Sequence, residues 1–304
     1  MARVIRWLIY VVVGLMGLVL LAGLAIFVLS ELELRKTYDV EPSPVAVPTD
    51  ADSIAFGEHL ATTWAGCAAC HGDHMEGDIL FEDEAAKVVA PNLTAGEGGV
   101  GSFYRDEDWV LAIRHGIKPS GRSILIMPET LHSLSDEELG AIIAYLKNVP
   151  AVDNILPNTS IKPMGRLGTV MGLLNPTAAL IDHEAPRPPA PAPPPSIEYG
   201  AHIANGVCVI CHGTDFAGGT KPKGSQVEFP ADEPIPRNLT PAGNLRTWTE
   251  TDFVTALRTG ITPAGDRLDD EAMPWPIFSE LTDDELTALW RFISSLPPAQ
   301  PAED

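Results

Sequence analysis

Every cysteine of this 304-residue chain lies in one of two Cys-x-x-Cys-His pentapeptides, Cys67-Ala68-Ala69-Cys70-His71 and Cys208-Val209-Ile210-Cys211-His212. That spacing is the attachment signature of c-type haem, in which the two thiols form thioethers to the porphyrin vinyls. The histidine after the second cysteine is placed to ligate the iron from one face. Cys-x-x-Cys also serves zinc and dithiol redox sites. Tetrahedral zinc would have to gather four cysteines across 141 residues, and both histidines would be unexplained. A thioredoxin-like pair is expected once, near a βαβ pattern that this sequence lacks. The motifs therefore read as two covalently bound haem c groups, attached at Cys67, Cys70, Cys208 and Cys211, with His71 and His212 as iron ligands.

An iron that only passes electrons needs a second axial ligand, and a Met thioether raises its reduction potential relative to a second nitrogen. Of seven methionines, Met273 alone follows the second haem motif, and its counterpart in the first half is Met127. They lie 61 and 56 residues after His212 and His71, and each precedes a proline. A lone methionine is ordinarily core filler. Two at matched positions, each before proline, make Met127 and Met273 the expected sixth ligands. Met75 competes in the first half but lacks a methionine partner in the second. His59 and His202 also match, yet both precede the haem motifs on the proximal side, where packing or surface roles are expected. Arg114 and Arg258 are candidates for pairing with haem propionates, a solvated helix position being the alternative. A carbonyl near Pro91, or near Pro236 in the second half, is a candidate acceptor for the proximal histidine's other N–H.

The elements that position these residues come from an internal repeat at an offset of 141 to 147 residues. Gly57-Glu58-His59-Leu60-Ala61 answers Gly200-Ala201-His202-Ile203-Ala204, and Asn92-Leu93-Thr94 answers Asn238-Leu239-Thr240. Trp109 to Ile117 answers Phe253 to Ile261, and Leu134 to Leu139 answers Leu281 to Leu286. Each copy reads as three main helices. One precedes the haem motif, near Ser53–Thr63 and Ile197–Ala204. A second spans Asp106 to His115 and Glu250 to Thr259, ended by Gly116 and Gly260. The last is opened by capping boxes, Ser135 with Glu138 and Thr282 with Glu285, and carries apolar stripes at helical spacing. Strand signals are poor throughout. Pro186 to Pro195 holds seven prolines in ten residues, which predicts an extended polyproline spacer of roughly 30 Å. A free tether is the default expectation there, while the more apolar Ile161–Asp182 stretch could lie across a domain.

The N-terminus has another composition. Trp7 to Leu29 is 23 residues without a charge, against about 20 needed to span a bilayer core. A cleavable signal peptide is the competing reading, but its apolar region is usually about 7–15 residues, and no clear Ala-x-Ala site follows. An uncleaved membrane anchor is expected. The net charge of −21 excludes a phosphate-binding basic surface, so no nucleic-acid partner is expected. Abundant proline and glycine suit short helices joined by long loops.

Together the Cys-x-x-Cys-His motifs, the Asn-Leu-Thr matches, the Arg-x-Gly-Ile helix ends, the Met-Pro loops and the acidic-capped last helices resemble class I c-type cytochromes. More closely, the chain resembles the cytochrome c subunits of periplasmic membrane dehydrogenases. Those commonly carry three haem motifs, whereas this sequence has two, and its anchor is N-terminal. The resemblance implies an all-α fold: an N-terminal transmembrane helix followed by two tandem class I cytochrome c-like domains. The organisation expected is an anchor at 1–30, a linker at 31–50, the first domain at 51–150, a proline-rich linker at 151–195 and the second domain at 196–304. It also implies haem attachment outside the cytoplasmic membrane, with the haem domains on the periplasmic or extracellular side. The expected function is single-electron transfer between a quinol-oxidising complex or dehydrogenase and a terminal acceptor such as an oxidase, without catalysis of its own. A dihaem peroxidase is the alternative. It requires one haem whose sixth position opens, which methionine in both copies argues against.

Overall fold

The computed structural model describes residues 2–224 and 234–301. Helix α1 (Ala2–Leu34) is continuous and exposes its Val, Leu and Ile side chains along its length. In the first domain, α2 (Ala51–Thr62) starts where the Asp50 carboxylate accepts the Ser53 N–H at 2.9 Å. The haem motif forms the one-turn helix α3 (Cys67–His71). A hairpin of β1 (Asp78–Glu82) and β2 (Ala86–Ala90) follows, then α4 (Asp106–His115) and α5 (Asp136–Asn148). Both halves of the Ser135–Glu138 capping box form, at 2.8 and 3.2 Å. The chain then adds β3 (Ser160–Ile161) beside β2 and runs into α6 (Pro163–Val170), which begins on a proline. In the second domain, α7 (Ile197–Ile203) bends through a π-turn into α8 (Val209–His212), and α9 (Glu250–Thr259), α10 (Trp275–Ser279) and α11 (Asp283–Ser295) complete it.

The architecture is mostly helical, with one addition to the expectation. β1, β2 and β3 form a small antiparallel sheet. β2 turns Ala86, Val88 and Ala90 inward. Five residues of period-2 alternation between two glycine- and acid-rich stretches were too few to stand out as a strand signal.

Each domain is held by the crossing of its first and last helices. Both crossings are as close as backbone allows. A Cβ on Gly57 would lie 1.9 Å from the Ala141 carbonyl oxygen, and one on Gly200 would lie 1.9 Å from that of Ala288. Only glycine fits at either point. Around the crossings Leu60, Leu139, Ile142 and Ile143 in the first domain, and Ile203, Leu286, Leu289 and Ile293 in the second, are at most 2 % exposed. At about 1.5–3 kcal/mol for each such side chain, these clusters dominate the stability of the domains.

The domains meet through those same helices, reciprocally. His59 Nε2 on α2 lies 2.8 Å from Glu285 at the start of α11, and His202 Nε2 on α7 lies 2.9 Å from Glu138 at the start of α5. Trp64 packs edge-on against the His202 ring, with centroids 5.1 Å apart. Exchange of the same two positions in both directions is the signature of a two-fold contact. The proline run is not a free tether. Near one end Arg187 pairs with Asp136 at 2.6 Å, and at the other the Pro195 carbonyl accepts from Arg291 at 2.6 Å. The apolar stretch before it folds onto the first domain through Thr177 and Ala178, both about 1 % exposed.

Candidate functional site

α3 is bracketed by two left-handed glycines, Gly66 (φ +66°) and Gly72 (φ +78°), which let the chain enter and leave a single turn abruptly. His71 at its end donates its Nδ1–H to the Pro91 carbonyl at 2.8 Å. A carbonyl can only accept, so Nδ1 carries the proton and the lone pair is on Nε2. The second motif repeats this: His212 Nδ1–H donates to the Arg237 carbonyl at 2.8 Å. The acceptor is Arg237, which aligns with Pro91, and not Pro236. The apparent offset between the copies vanishes because the backbone oxygen, and not the proline ring, does the work. Burial holds both imidazoles below their ordinary pKa, against the opposing pull of these hydrogen bonds. Both rings are therefore neutral and able to ligate a metal.

The Asn-Leu-Thr segments fix those carbonyls. Asn92 Nδ2 donates to the Val152 carbonyl at 2.7 Å and its Oδ1 accepts the Thr94 N–H at 2.9 Å. Asn238 does the same with the Ala299 carbonyl at 2.8 Å and the Thr240 N–H at 2.8 Å. Each knot ties the loop facing the histidine to the chain just past the domain's last helix.

No disulfide joins the four cysteines, and burial pushes the Cys67 and Cys208 thiols up to about 12. Such groups are neither poised thiolates nor disulfide partners. Among the described residues, no group of three or more His, Cys, Asp or Glu is gathered as a metal site. The four-cysteine zinc alternative thus finds no support.

Met127 and Met273 are both partly buried against the hydrophobic core. Met75 is fully buried, at 0 % exposure, and sits at φ +60°. Its carbonyl accepts the Leu93 N–H at 2.8 Å, as the Phe216 carbonyl accepts the Leu239 N–H at 2.9 Å. Phe216, at φ +57° and 3 % exposed, is therefore the structural equivalent of Met75. A phenyl ring cannot ligate iron, so the second copy has no iron ligand at this position.

His59 and His202 pack between the domains, consistent with the roles expected of them. Arg114 is buried and Arg258 partly exposed, and both are engaged within their own domains. Arg114, 5 % exposed, donates to Asp136 at 2.8 Å and to the Leu134 carbonyl at 2.9 Å. Arg258 pairs with Asp283 at 2.7 Å and with the Ser279 carbonyl. Each arginine joins its helix end to the start of the last helix. The buried indole N–H groups of Trp64, Trp109 and Trp275 meet no acceptor of the protein. That suits a large apolar group bringing its own oxygens. Together with two neutral histidines and paired thiols, the residues fit haem c.

Comparison with known proteins agrees. Residues 54–146 match the family described as cytochrome c oxidase, cbb3-type, subunit III, and residues 197–297 match the family described as cytochrome c. Both units are cytochrome c domains, and the protein is a c-type cytochrome with two covalently bound haem c groups. As a whole it is similar to cytochrome c subunits of membrane dehydrogenases. It is 26% identical over 298 residues to the "Alcohol dehydrogenase (quinone), cytochrome c subunit" of Gluconacetobacter polyoxogenes and to that of Komagataeibacter europaeus, covering 85% of this chain and 59% of each relative. It is 31% identical over 130 residues to the "Fructose dehydrogenase cytochrome subunit" of Gluconobacter japonicus, covering 40% of this chain and 26% of that protein. The chain thus spans about three-fifths of the length of the alcohol dehydrogenase relatives.

Proposed function

We propose that this protein is a membrane-anchored dihaem electron carrier, in which His71 and Met127 ligate one iron and His212 and Met273 the other. Its haem-binding units are 51–150 and 196–304. One observation carries the reading: both copies pair a histidine whose Nδ1 is tied to a backbone carbonyl with a Met-Pro loop packed on the core. The one competing methionine, Met75, is matched by a phenylalanine. When bound, each haem supplies a one-electron ferrous–ferric couple. The chain's part is to hold the ligands. The Pro91 and Arg237 carbonyls orient the rings and raise the basicity of Nε2. The thioethers raise the potential relative to a second nitrogen ligand. Electrons would enter from a quinol-oxidising complex or a dehydrogenase and leave to a terminal acceptor such as an oxidase. The relatives named as dehydrogenase subunits favour the dehydrogenase side of that choice.

Anchoring rests on α1, whose most apolar 18-residue stretch within Arg3–Leu34 has a mean hydropathy of 2.9. A second feature supports it. α6 is pinned to the far end of α1 by Arg166, which bonds Ser30 at 3.0 Å and Glu31 at 2.8 Å and stacks over Phe27. Beside this contact Val170, Met171 and Leu173 are 39, 62 and 75 % exposed, an apolar edge suited to lipid at the end of the apolar run. The haem domains would then stand on the periplasmic or extracellular side.

The test is optical and magnetic spectroscopy of the purified ferric protein. Two low-spin irons with the weak far-red absorption of Met–ferric haem are expected. Met127→Leu and Met273→Leu should each remove one such signal and leave the other. A protein in which neither substitution changes the far-red absorption has other ligands, and the assignment fails.

A further inference from the structure

We propose that Thr177, in the segment between the two domains, is a positioning residue for Met127. The sixth ligand of the first haem is thereby held by the interdomain segment, whereas that of the second is held by its own domain. This rests on the reading of Met127 and Met273 as ligands.

The two Met-Pro loops have equivalent places in the repeat but different supports. Met273 is served locally. Its N–H donates to the Asp269 carbonyl at 2.8 Å, and its carbonyl accepts the Trp275 N–H at 2.6 Å. Met127 sends both groups to one side chain 50 residues away: its N–H donates to Thr177 Oγ1 at 2.9 Å, and Thr177 Oγ1–H donates to the Met127 carbonyl at 3.1 Å. A hydroxyl both accepts and donates, so one small group can close both bonds.

Thr177 also fills a matched position in space. Gly116 and Gly260 are equivalent helix ends, at φ +63° and +69°. A Cβ on Gly260 would lie 2.5 Å from the Trp275 ring, and one on Gly116 would lie 2.6 Å from the Thr177 methyl. The interdomain segment thus stands in the first domain where the Met-Pro loop's own tryptophan stands in the second. Thr177 is 1 % exposed, and two bonds donated by the local backbone fix it: its own N–H to the Ile124 carbonyl at 3.0 Å, and the next residue's, Ala178 N–H, to the Ser123 side-chain Oγ at 2.9 Å. Neither depends on the Thr177 hydroxyl.

A thioether is a weak ligand, so the stiffness of its loop sets how readily an outside base replaces it. The full-length ferric protein is titrated with imidazole, and loss of far-red absorption is followed for each haem. Thr177→Val keeps the β-branched shape and both backbone bonds but removes the hydroxyl. Each hydrogen bond lost is worth about three- to tenfold in an equilibrium. The first haem of Thr177→Val should therefore bind imidazole about 30-fold more tightly, with the second unchanged. Thr177→Ser restores both hydrogen bonds and loses only the methyl against Gly116, so it should titrate like the parent. Equal affinities in the parent and Thr177→Val overturn the proposal. So does a Thr177→Ser protein as weakened as Thr177→Val, which would make the contact one of packing alone. The underlying ligand reading fails separately, if Met127→Leu leaves both far-red signals in place.

Discussion

Replacing His59 by alanine should loosen the two haem domains from each other without unfolding either. His59 lies at the interface, a quarter of its side chain in contact with water, and faces a Glu285 carboxylate that is 4 % exposed. A hydrogen bond to a charged group is worth about 1.5–3 kcal/mol, and the exposed edge of His59 puts this one at the lower end. Loss of about 1.5 kcal/mol is roughly tenfold in the docking equilibrium. The reciprocal pair, His202 with Glu138, has the same geometry. His59→Ala/His202→Ala should therefore reach about a hundredfold, if the two contacts act independently.

The effect depends on pH with a definite sign. The Glu285 hydrogen bond holds His59 above its ordinary value of 6.5, against desolvation, which lowers it. Its contribution is fully present below pH 6.5 and is lost as pH rises through the raised value. Burial alone would raise Glu285, but the bonds from His59 and the Thr282 backbone outweigh it and hold the carboxyl below 4.5. Its contribution is present above pH 4.5 and is lost as pH falls through the lowered value. Docking should thus be tightest between these two values and weaken at alkaline pH. Hydrogen exchange of the α2, α7 and α11 amides, read from pH 5 upward, measures it. Exchange at the interface that His59→Ala raises less than twofold near pH 6, or a pH dependence unchanged in the variant, would refute the argument.

Gly57→Ala forces a Cβ to within 1.9 Å of a backbone carbonyl that cannot swing away. It should cost about 3 kcal/mol or more in urea unfolding of the first domain, and a variant within 1 kcal/mol of the parent would mean that the helices can part there. Asn238→Ala leaves the Thr240 N–H without its 2.8 Å acceptor and removes one bond to Ala299, leaving those of the Thr240 hydroxyl. About 2–3 kcal/mol of stability should be lost, together with broadened magnetic signals of the second haem only, because the Arg237 carbonyl that orients His212 is released.

The parts of the fold that repeat were the legible parts. Asp106–His115 and Glu250–Thr259 appear with the bounds that their sequence pattern suggested, because acidic first turns and a terminal glycine mark both ends. Local signals of that kind survive folding. What escaped was non-local. Nothing near Thr177 announces that its hydroxyl will meet a methionine 50 residues earlier. The one available clue was the lack of a tryptophan after Met127-Pro128, where Met273-Pro274-Trp275 supplies one. Met75 looked unmatched only because its partner, Phe216, is a different residue in the same strained position. For Arg114 and Arg258 the match in the repeat is visible in sequence, but the helix-to-helix tie that each makes within its domain is not.

The reciprocal interface explains why two such domains stay together at all. Glu138 and Glu285 already serve as N3 residues of capping boxes, with one oxygen turned back to the backbone of their own helix. The other oxygen is nearly buried; in Glu285 it has only the long 3.4 Å bond from the Tyr199 hydroxyl within its own domain, and an under-satisfied buried acceptor is costly. The histidine of the opposite domain removes that cost in both directions. Separating the domains therefore does more than break two contacts: it leaves Glu138 half-satisfied, and Glu285 with only its cap and the long Tyr199 bond, at the N-termini of the helices that form each domain's crossing. The same two helices that close the haem-binding cores set the geometry between them, so the relative placement of the two haem sites is coupled to the packing within each. A change that loosens either crossing should be felt across the interface, in the other domain's histidine.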